Sequence, residues 1–489
     1  MGERITINPV TRLEGHGKIE IFLDDKGAVE ECFFQVPELR GFEKFAEGRP
    51  VEEMPRITSR ICGVCPEAHL AASAKACDAV YGIELTPTAK KLRELQYSAF
   101  FLGDHTTHFY ALGGPDFVMG PDADPAVRNI IGVIQKVGVE IGKEVIRTRS
   151  ECHEVAKILG GKPVIPVNMI PGGMSKGLTK KEDYERVLEI AKRGVEFAKF
   201  TLKIFDDIVL ANKAYVDLIL SDPYQLKVHN IGLVDENNHV NFYDGKVRIV
   251  DTTGKEIGKY APKEYLNYIA EHVEPWTYLK FPYLKQIGWK GFVEGQDSGV
   301  YRATPLSRLN AADGMATPLA QEQYQRMYDT LGGKPVNATL ATHWARVIEL
   351  VYAAERFLEL AQDPDVRGEN YRTIPTKTPT EGVGIVEAPR GTLTHHYVTD
   401  ENGIVKKANL IVGTTNNHAA ICMSIKKAAQ GLIKPGVKPT EAILNMVEMA
   451  FRAYDPCYAC ATHSLPGQMP LEVCIYDKDR NLVDRFSRV

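Results

Sequence analysis

The sequence predicts an α+β protein that is mainly helical: a central bundle of long helices with peripheral β-hairpins and small sheets. Apolar residues recur at three- and four-residue spacing over long stretches between residues 67 and 215, and again between 318 and 453. Strand-like alternation is confined to short blocks at the N terminus, within 220–312 and within 384–412. No internal repeat is present, which excludes a solenoid or propeller. At 489 residues the chain exceeds what one small core usually holds, so several regions layered together are expected.

Residues 1–60 read as an N-terminal β-hairpin region, with strands near Ile5–Ile7, Lys18–Leu23 and Val29–Val36 and a turn at Asp24-Asp25-Lys26-Gly27. The loop between the first two strands carries Arg12, Glu14 and His16. Residues 61–219 read as a helical bundle, with helices expected over 67–81, 87–112, 125–158 and 181–215 and a loop over 116–124. Residues 220–312 are rich in Pro, Gly, Tyr and Trp and read as a loop-rich inserted α+β region, for which the sequence suggests no chemical role. Helices resume in 313–383, at about 318–331 and 339–362. A β block occupies 384–414, helices at about 415–432 and 439–453 fall within 415–463, and 464–489 forms a C-terminal extension.

Hydrophobic content of 44%, charged content of 25% and a net charge of −4 are ordinary for a globular protein and leave no basic footprint for nucleic acid. No window is apolar enough for a membrane span and no secretion signal precedes the first strand, so a cytoplasmic protein is expected. Nine cysteines in a chain of this length read as reduced thiols.

Two cysteine pairs stand out. Arg60-Ile-Cys62-Gly-Val-Cys65-Pro-Glu67-Ala-His69 lies near the start, and Asp455-Pro-Cys457-Tyr-Ala-Cys460-Ala-Thr-His463 near the end. Four thiolates can fill the protein half of a tetrahedral or square-based metal site. Structural zinc fits poorly, because nearly the whole chain separates the pairs, whereas zinc modules close short loops. An iron–sulfur cluster and two unrelated redox pairs remain open on spacing alone.

The flanking residues extend the pattern. The two cysteine motifs resemble the signatures of the nickel–iron hydrogenase large subunit. So do Arg12-Leu-Glu14-Gly-His16, Leu39-Arg-Gly-Phe-Glu43, Gly103-Asp104-His105-Thr-Thr-His108-Phe-Tyr and Glu387-Ala-Pro389-Arg390-Gly391, in the family's order. The resemblance implies that Cys62, Cys65, Cys457 and Cys460 bind nickel at a site buried at the bundle end. Cys65 and Cys460 would bridge to an iron completed by carbon monoxide and cyanide. It further implies that Glu14 carries protons, that Arg390 and Pro389 roof the metals with Asp104 and Asp455, and that Glu43 and His463 bind magnesium. The activity implied is H2 ⇌ 2 H⁺ + 2 e⁻.

No cysteine spacing is left for an electron relay, so the resemblance also implies an iron–sulfur small subunit. Further electron-transfer subunits, such as a heterodisulfide reductase or a flavin module, would follow. Residues 464–489 resemble an extension that a maturation protease removes after His463; a permanent hairpin is the alternative. The Gly-Asp-His-Thr-Thr-His run and the Ala-Thr-His ending resemble the cytoplasmic multi-subunit branch, in particular its F420-non-reducing type. An H2-sensing homologue with the same metals and very low turnover is the alternative function. A quinone-binding relative is disfavoured because all four cysteines are present.

Overall fold

The helix that follows the first cysteine pair sets the geometry of the rest. In the computed structural model, which describes residues 4–39 and 41–461 and the strands Leu471–Tyr476 and Leu482–Arg488, Cys65 is the N-cap of helix Pro66–Tyr81. Pro66 takes the first helical position, where its missing N–H is no loss. One side of this helix is built from Ala68, Ala72 and Ala76, all fully buried. That small surface lets strand Glu381–Ala388 lie directly on the helix. Gly382 sits over Ala76 and Val80, while Gly384 sits over Ala72 and Ala76. The strand therefore runs toward the helix N terminus, and its end arrives at Cys65.

Strand Glu381–Ala388 pairs antiparallel with Gly391–Thr399, which pairs antiparallel with Val405–Ile411. The register Ala388↔Gly391 leaves Pro389-Arg390 as a two-residue turn. Gly391, just after the turn, has φ 152, a backbone that L side chains rarely adopt, and a Cβ there would stand 2.4 Å from Gly413 O, so the turn needs glycine at this position.

Helix Pro87–Thr107 packs against Thr342–Gln362 and Val139–Gly160, and Thr342–Gln362 also packs on Lys181–Phe205 and Pro318–Leu331. The overall architecture is mixed α and β. Two stretches differ from the sequence expectation. The periodic segment 125–158 is two helices, Ile130–Val137 and Val139–Gly160, because the chain leaves helical geometry at Gly138 (φ 103). The segment 181–215 is helical only to Phe205, continues as a π-turn over Asp206–Leu210, and restarts as Lys213–Leu220. The loop expected from Asp116 begins later, after a short helix Gly114–Val118.

Within 220–312, strand His229–Val234 pairs antiparallel with Lys246–Val250 and parallel with Tyr301–Arg302. The N-terminal strands Arg4–Ile7, Lys18–Leu23 and Val29–Gln35 form a separate antiparallel sheet. Helices His418–Leu432 and Glu441–Arg452 deliver the chain to Cys457, and strands Leu471–Tyr476 and Leu482–Arg488 pair antiparallel beyond it. No helix among the described residues is long and apolar enough to cross a membrane.

Candidate metal centre

The two chain ends meet. The sulfur atoms of Cys62, Cys65 and Cys457 all lie within 4.8 Å of one another in a buried cluster. Cys62 Sγ and Cys457 Sγ are 3.4 Å apart. Backbone N–H groups of Val64 and Cys65 donate to Cys62 Sγ at 3.2 and 3.0 Å, as the turn before the helix folds back on its own thiol. Thr414 Oγ1 accepts from the Cys457 N–H at 3.0 Å and fixes the second pair. Three soft, buried sulfurs this close fit a thiophilic transition metal. Cys460 lies in the turn Tyr458–Ala461, but its side chain falls outside the described residues, as does His463.

Arg390 stands at the tip of its turn beside this cluster, sharing a small cavity with Cys65, Cys457 and His69. Its Nη1 donates to Asp104 Oδ2 at 3.1 Å, and its Nη2 lies 3.0 Å from Asp455 Oδ2. All three side chains are buried. Burial opposes a charged guanidinium, yet the two carboxylates outweigh it and keep Arg390 protonated. The carboxylates are not equivalent. Burial acts to raise Asp455, but Arg390 and His108 together overcome it and hold it ionised, whereas for Asp104 burial prevails and its pKa is pushed up. Asp455 has φ 55, a left-handed backbone that turns the chain sharply into Pro456-Cys457.

Glu14 reaches the cluster from the first loop. Its backbone bridges that of Cys457, with Tyr458 N–H donating to Glu14 O at 2.9 Å. Glu14 Oε2 lies 2.9 Å from Cys457 Sγ and accepts from Ala459 N–H at 3.2 Å. Burial pushes the Glu14 carboxyl up, opposed by these two contacts. The loop is tied down by Arg12, which donates to Leu112 O at 3.1 Å and pairs with Asp116, and by Arg452, whose Nη2 donates to Thr11 Oγ1 at 3.0 Å.

Glu43 is buried some way from the sulfurs. Its Oε1 accepts from Leu410 N–H at 2.8 Å, and Lys280 Nζ lies 3.3 Å from each carboxylate oxygen. Glu271 Oε1, itself buried, converges on the same lysine at 3.3 Å. Burial pushes the Glu43 carboxyl up, opposed by Lys280 and by the Leu410 N–H.

Sequence reasoning missed the support beneath the turn. Arg308 forks onto Glu349 through Nε and Nη2, both at 2.6 Å, and gives Nη1 to Glu387 at 2.9 Å and to Ala388 O at 2.9 Å. Glu387 also accepts from Leu233 N–H at 2.6 Å, so the region 220–312 underpins the Arg390 turn. Asn417 Nδ2 donates to Arg390 O at 2.9 Å from the other side. The available signal was a charged residue inside an apolar helical run, Glu349 among Val347, Ile348, Leu350 and Val351.

A nickel-dependent hydrogenase family model matches residues 40–129 and 143–463, and a HoxL-like model matches residues 4–39. The chain thus belongs to the nickel-dependent hydrogenase family, and its activity is that of a hydrogenase. Among its relatives, the iron-sulfur subunit of an F420-non-reducing hydrogenase from Archaeoglobus profundus is 52% identical, over 98% of this chain and 99% of that one. The F420-non-reducing hydrogenase of Methanothermobacter marburgensis has a subunit that is 43% identical over 99% of this chain and 100% of the relative. The crystal structure of an NAD+-reducing [NiFe]-hydrogenase in the H2-reduced state superposes with a TM-score of 0.85 at 36% identity, covering 94% of this chain and 99% of the other.

Proposed function

We propose that this chain is the catalytic large subunit of a nickel–iron hydrogenase of the F420-non-reducing type, working in the cytoplasm. The observation that carries this is the convergence of Cys62, Cys65 and Cys457 beside Arg390 and Glu14, drawn from both ends of the sequence. In this reading Cys62, Cys65, Cys457 and Cys460 would hold nickel, and Cys65 and Cys460 would also hold an iron that carries carbon monoxide and cyanide. Glu43 and His463 hold magnesium. The long helices form a central bundle with the site at its end.

The bimetallic centre supplies the electron-accepting site at which H2 is split. The protein's own groups do the remainder. Glu14, 2.9 Å from Cys457 Sγ, takes a proton at Oε2 and passes it outward, and its raised affinity for protons suits that task. Arg390, clamped by Asp104 and Asp455 with Pro389 preceding it in the turn, holds a fixed positive charge over the sulfurs. Arg390, Asp104 and Asp455 are buried, while Glu14 is only partly buried.

The two electrons must leave. Of the other cysteines whose side chains are described, Cys32, Cys77, Cys152 and Cys422 are buried and join no further metal-competent group. An iron–sulfur small subunit therefore takes the electrons, with a heterodisulfide reductase or flavin module beyond it. A maturation protease would remove residues 464–489 after His463.

Metal analysis, infrared spectroscopy and H2-dependent dye reduction on the purified holoenzyme test this. Nickel and iron, bands of iron-bound carbon monoxide and cyanide, and rapid dye reduction are expected. Zinc without such bands would refute the reading, and intact metals with very slow turnover would indicate an H2 sensor.

A further inference from the structure

Beyond the Arg390 clamp, Asp455 meets one imidazole, His108, which in turn meets a second, His343, and the mechanism above uses neither. His108 Nδ1 lies 3.0 Å from Asp455 Oδ1, and His343 Nδ1 lies 3.4 Å from His108 Nε2. Both rings are buried and nearly parallel, 15° apart with centroids at 5.5 Å. His108 thus turns its Nδ1 edge toward the Asp455 carboxylate and its Nε2 edge toward His343. Burial keeps both rings neutral, with Arg346 reinforcing it at His108 and with His108 and Arg346 reinforcing it at His343. Carboxylate and rings form one buried line from Asp455 through His108 to His343.

The backbone is shaped around this pair. Helix Pro87–Thr107 runs into a π-turn, His108–Gly113, that brings residues five apart onto one face. A Cβ at Gly113 would stand 2.9 Å from His343 Cε1, 3.0 Å from His343 Nδ1 and 3.1 Å from His108 Nε2. The two rings occupy the space that any side chain at 113 would need. His343 is held on its other flank by Phe117, edge-on at 5.5 Å, beside a cavity with apolar walls.

We propose that His108 and His343 are positioning residues: seated against Gly113, they hold the Asp455 carboxylate on Arg390 and thereby fix where the guanidinium stands over the cysteine cluster. This rests on the reading of Arg390 as the roof of the metal site. Neither imidazole touches the reacting atoms; each acts through Asp455.

The test uses purified holoenzyme carrying His343→Ala, His343→Asn, Gly113→Ala or Arg390→Lys. For each, nickel content, the infrared bands of the iron-bound ligands, and kcat and KM for H2 are measured. His343→Ala and Gly113→Ala are expected to keep nickel, shift the bands and lose about 10²-fold in kcat, the usual consequence of misplacing a catalytic group by about 1 Å. His343→Asn keeps a hydrogen-bonding group near the Nδ1 position and restores most of that loss. If His343→Ala does not fold, Gly113→Ala and His343→Asn read the same geometry.

Wild-type bands and kcat in His343→Ala and Gly113→Ala, with Arg390→Lys impaired, would overturn the inference and leave the roof reading intact. A fully active Arg390→Lys would overturn both. Loss of nickel in His343→Ala and Gly113→Ala alike would make the pair a fold element, and an Asn variant as poor as Ala would show that the contact to His108 is not what matters. Either result also overturns the inference.

Discussion

Gly384→Ala should damage the metal site without touching it. Strand Glu381–Ala388 is pressed onto helix Pro66–Tyr81, and a Cβ at Gly384 would lie 2.1 Å from Ala72 O and 2.4 Å from Ala76 N. Ordinary contact begins near 3.4 Å, so strand and helix must separate by roughly 1 Å or more. Overpacking of this kind costs about 1–3 kcal/mol. The helix begins at Cys65 and the strand ends at the Arg390 turn, so the same displacement moves the roof away from the sulfurs. A shift of about 1 Å at a catalytic group lowers turnover about 10²-fold. Gly382→Ala is the control. It meets Ala76 O and Val80 N at 2.4 Å, two residues further from the turn, and should lose comparable stability with a smaller loss of turnover. The assays are nickel content, thermal unfolding and H2-dependent dye reduction on the holoenzyme. A Gly384→Ala protein with wild-type melting and wild-type kcat would refute the claim that this contact sets the height of the roof.

Three further substitutions probe separate parts of the account. Arg308→Met leaves the buried carboxylates of Glu349 and Glu387 without their shared cation and should cost about 3–5 kcal/mol; an unchanged melting temperature would contradict the network. Glu14→Gln keeps an acceptor for Ala459 N–H but cannot carry a proton, so nickel should stay while turnover falls about 10²- to 10⁴-fold. Full turnover would move proton transfer to another group. Asp244 lies 2.7 Å from Lys75 Nζ and 2.6 Å from Lys90 Nζ; burial acts to raise its carboxyl, but the two lysines outweigh it and hold its pKa below the ordinary value. Its stabilisation is therefore present above the unfolded value of about 3.9 and is lost as pH falls through the folded one. Asp244→Asn should melt lower than wild type at pH 7, with the gap closing in acid; a gap that persists at the lowest pH would contradict this assignment.

What the sequence disclosed and what it hid divide along a physical line. The cysteine pairs stood out by their own spacing, whereas Glu14 and the Arg390 turn were singled out through the family resemblance of their motifs. Helix Pro66–Tyr81 was legible because its apolar period is uninterrupted. The clamp of Arg308 between Glu349 and Glu387 was hidden because it joins three segments far apart in the chain, and only the oddity of Glu349 in an apolar run hinted at it. The π-turn at His108–Gly113 kept an apolar spacing that also fits an ordinary helix, so the extra residue left no trace in the pattern. Gly138 was passed over because an isolated glycine is a weak helix stop, and its positive φ only emerges in three dimensions. Region 220–312 looked inert in sequence because its contribution, the Leu233 N–H and the Arg308 guanidinium beneath the Arg390 turn, joins segments far apart in the chain.

The central claim is that thiolates from both ends of the chain hold one nickel. Nickel content of purified holoenzyme carrying Cys62→Ser or Cys457→Ser, measured beside wild type, tests it most directly. Wild type should carry nickel, and each variant should lose it together with H2-dependent dye reduction. A Cys62→Ser or Cys457→Ser protein that keeps full nickel and full turnover would contradict the account.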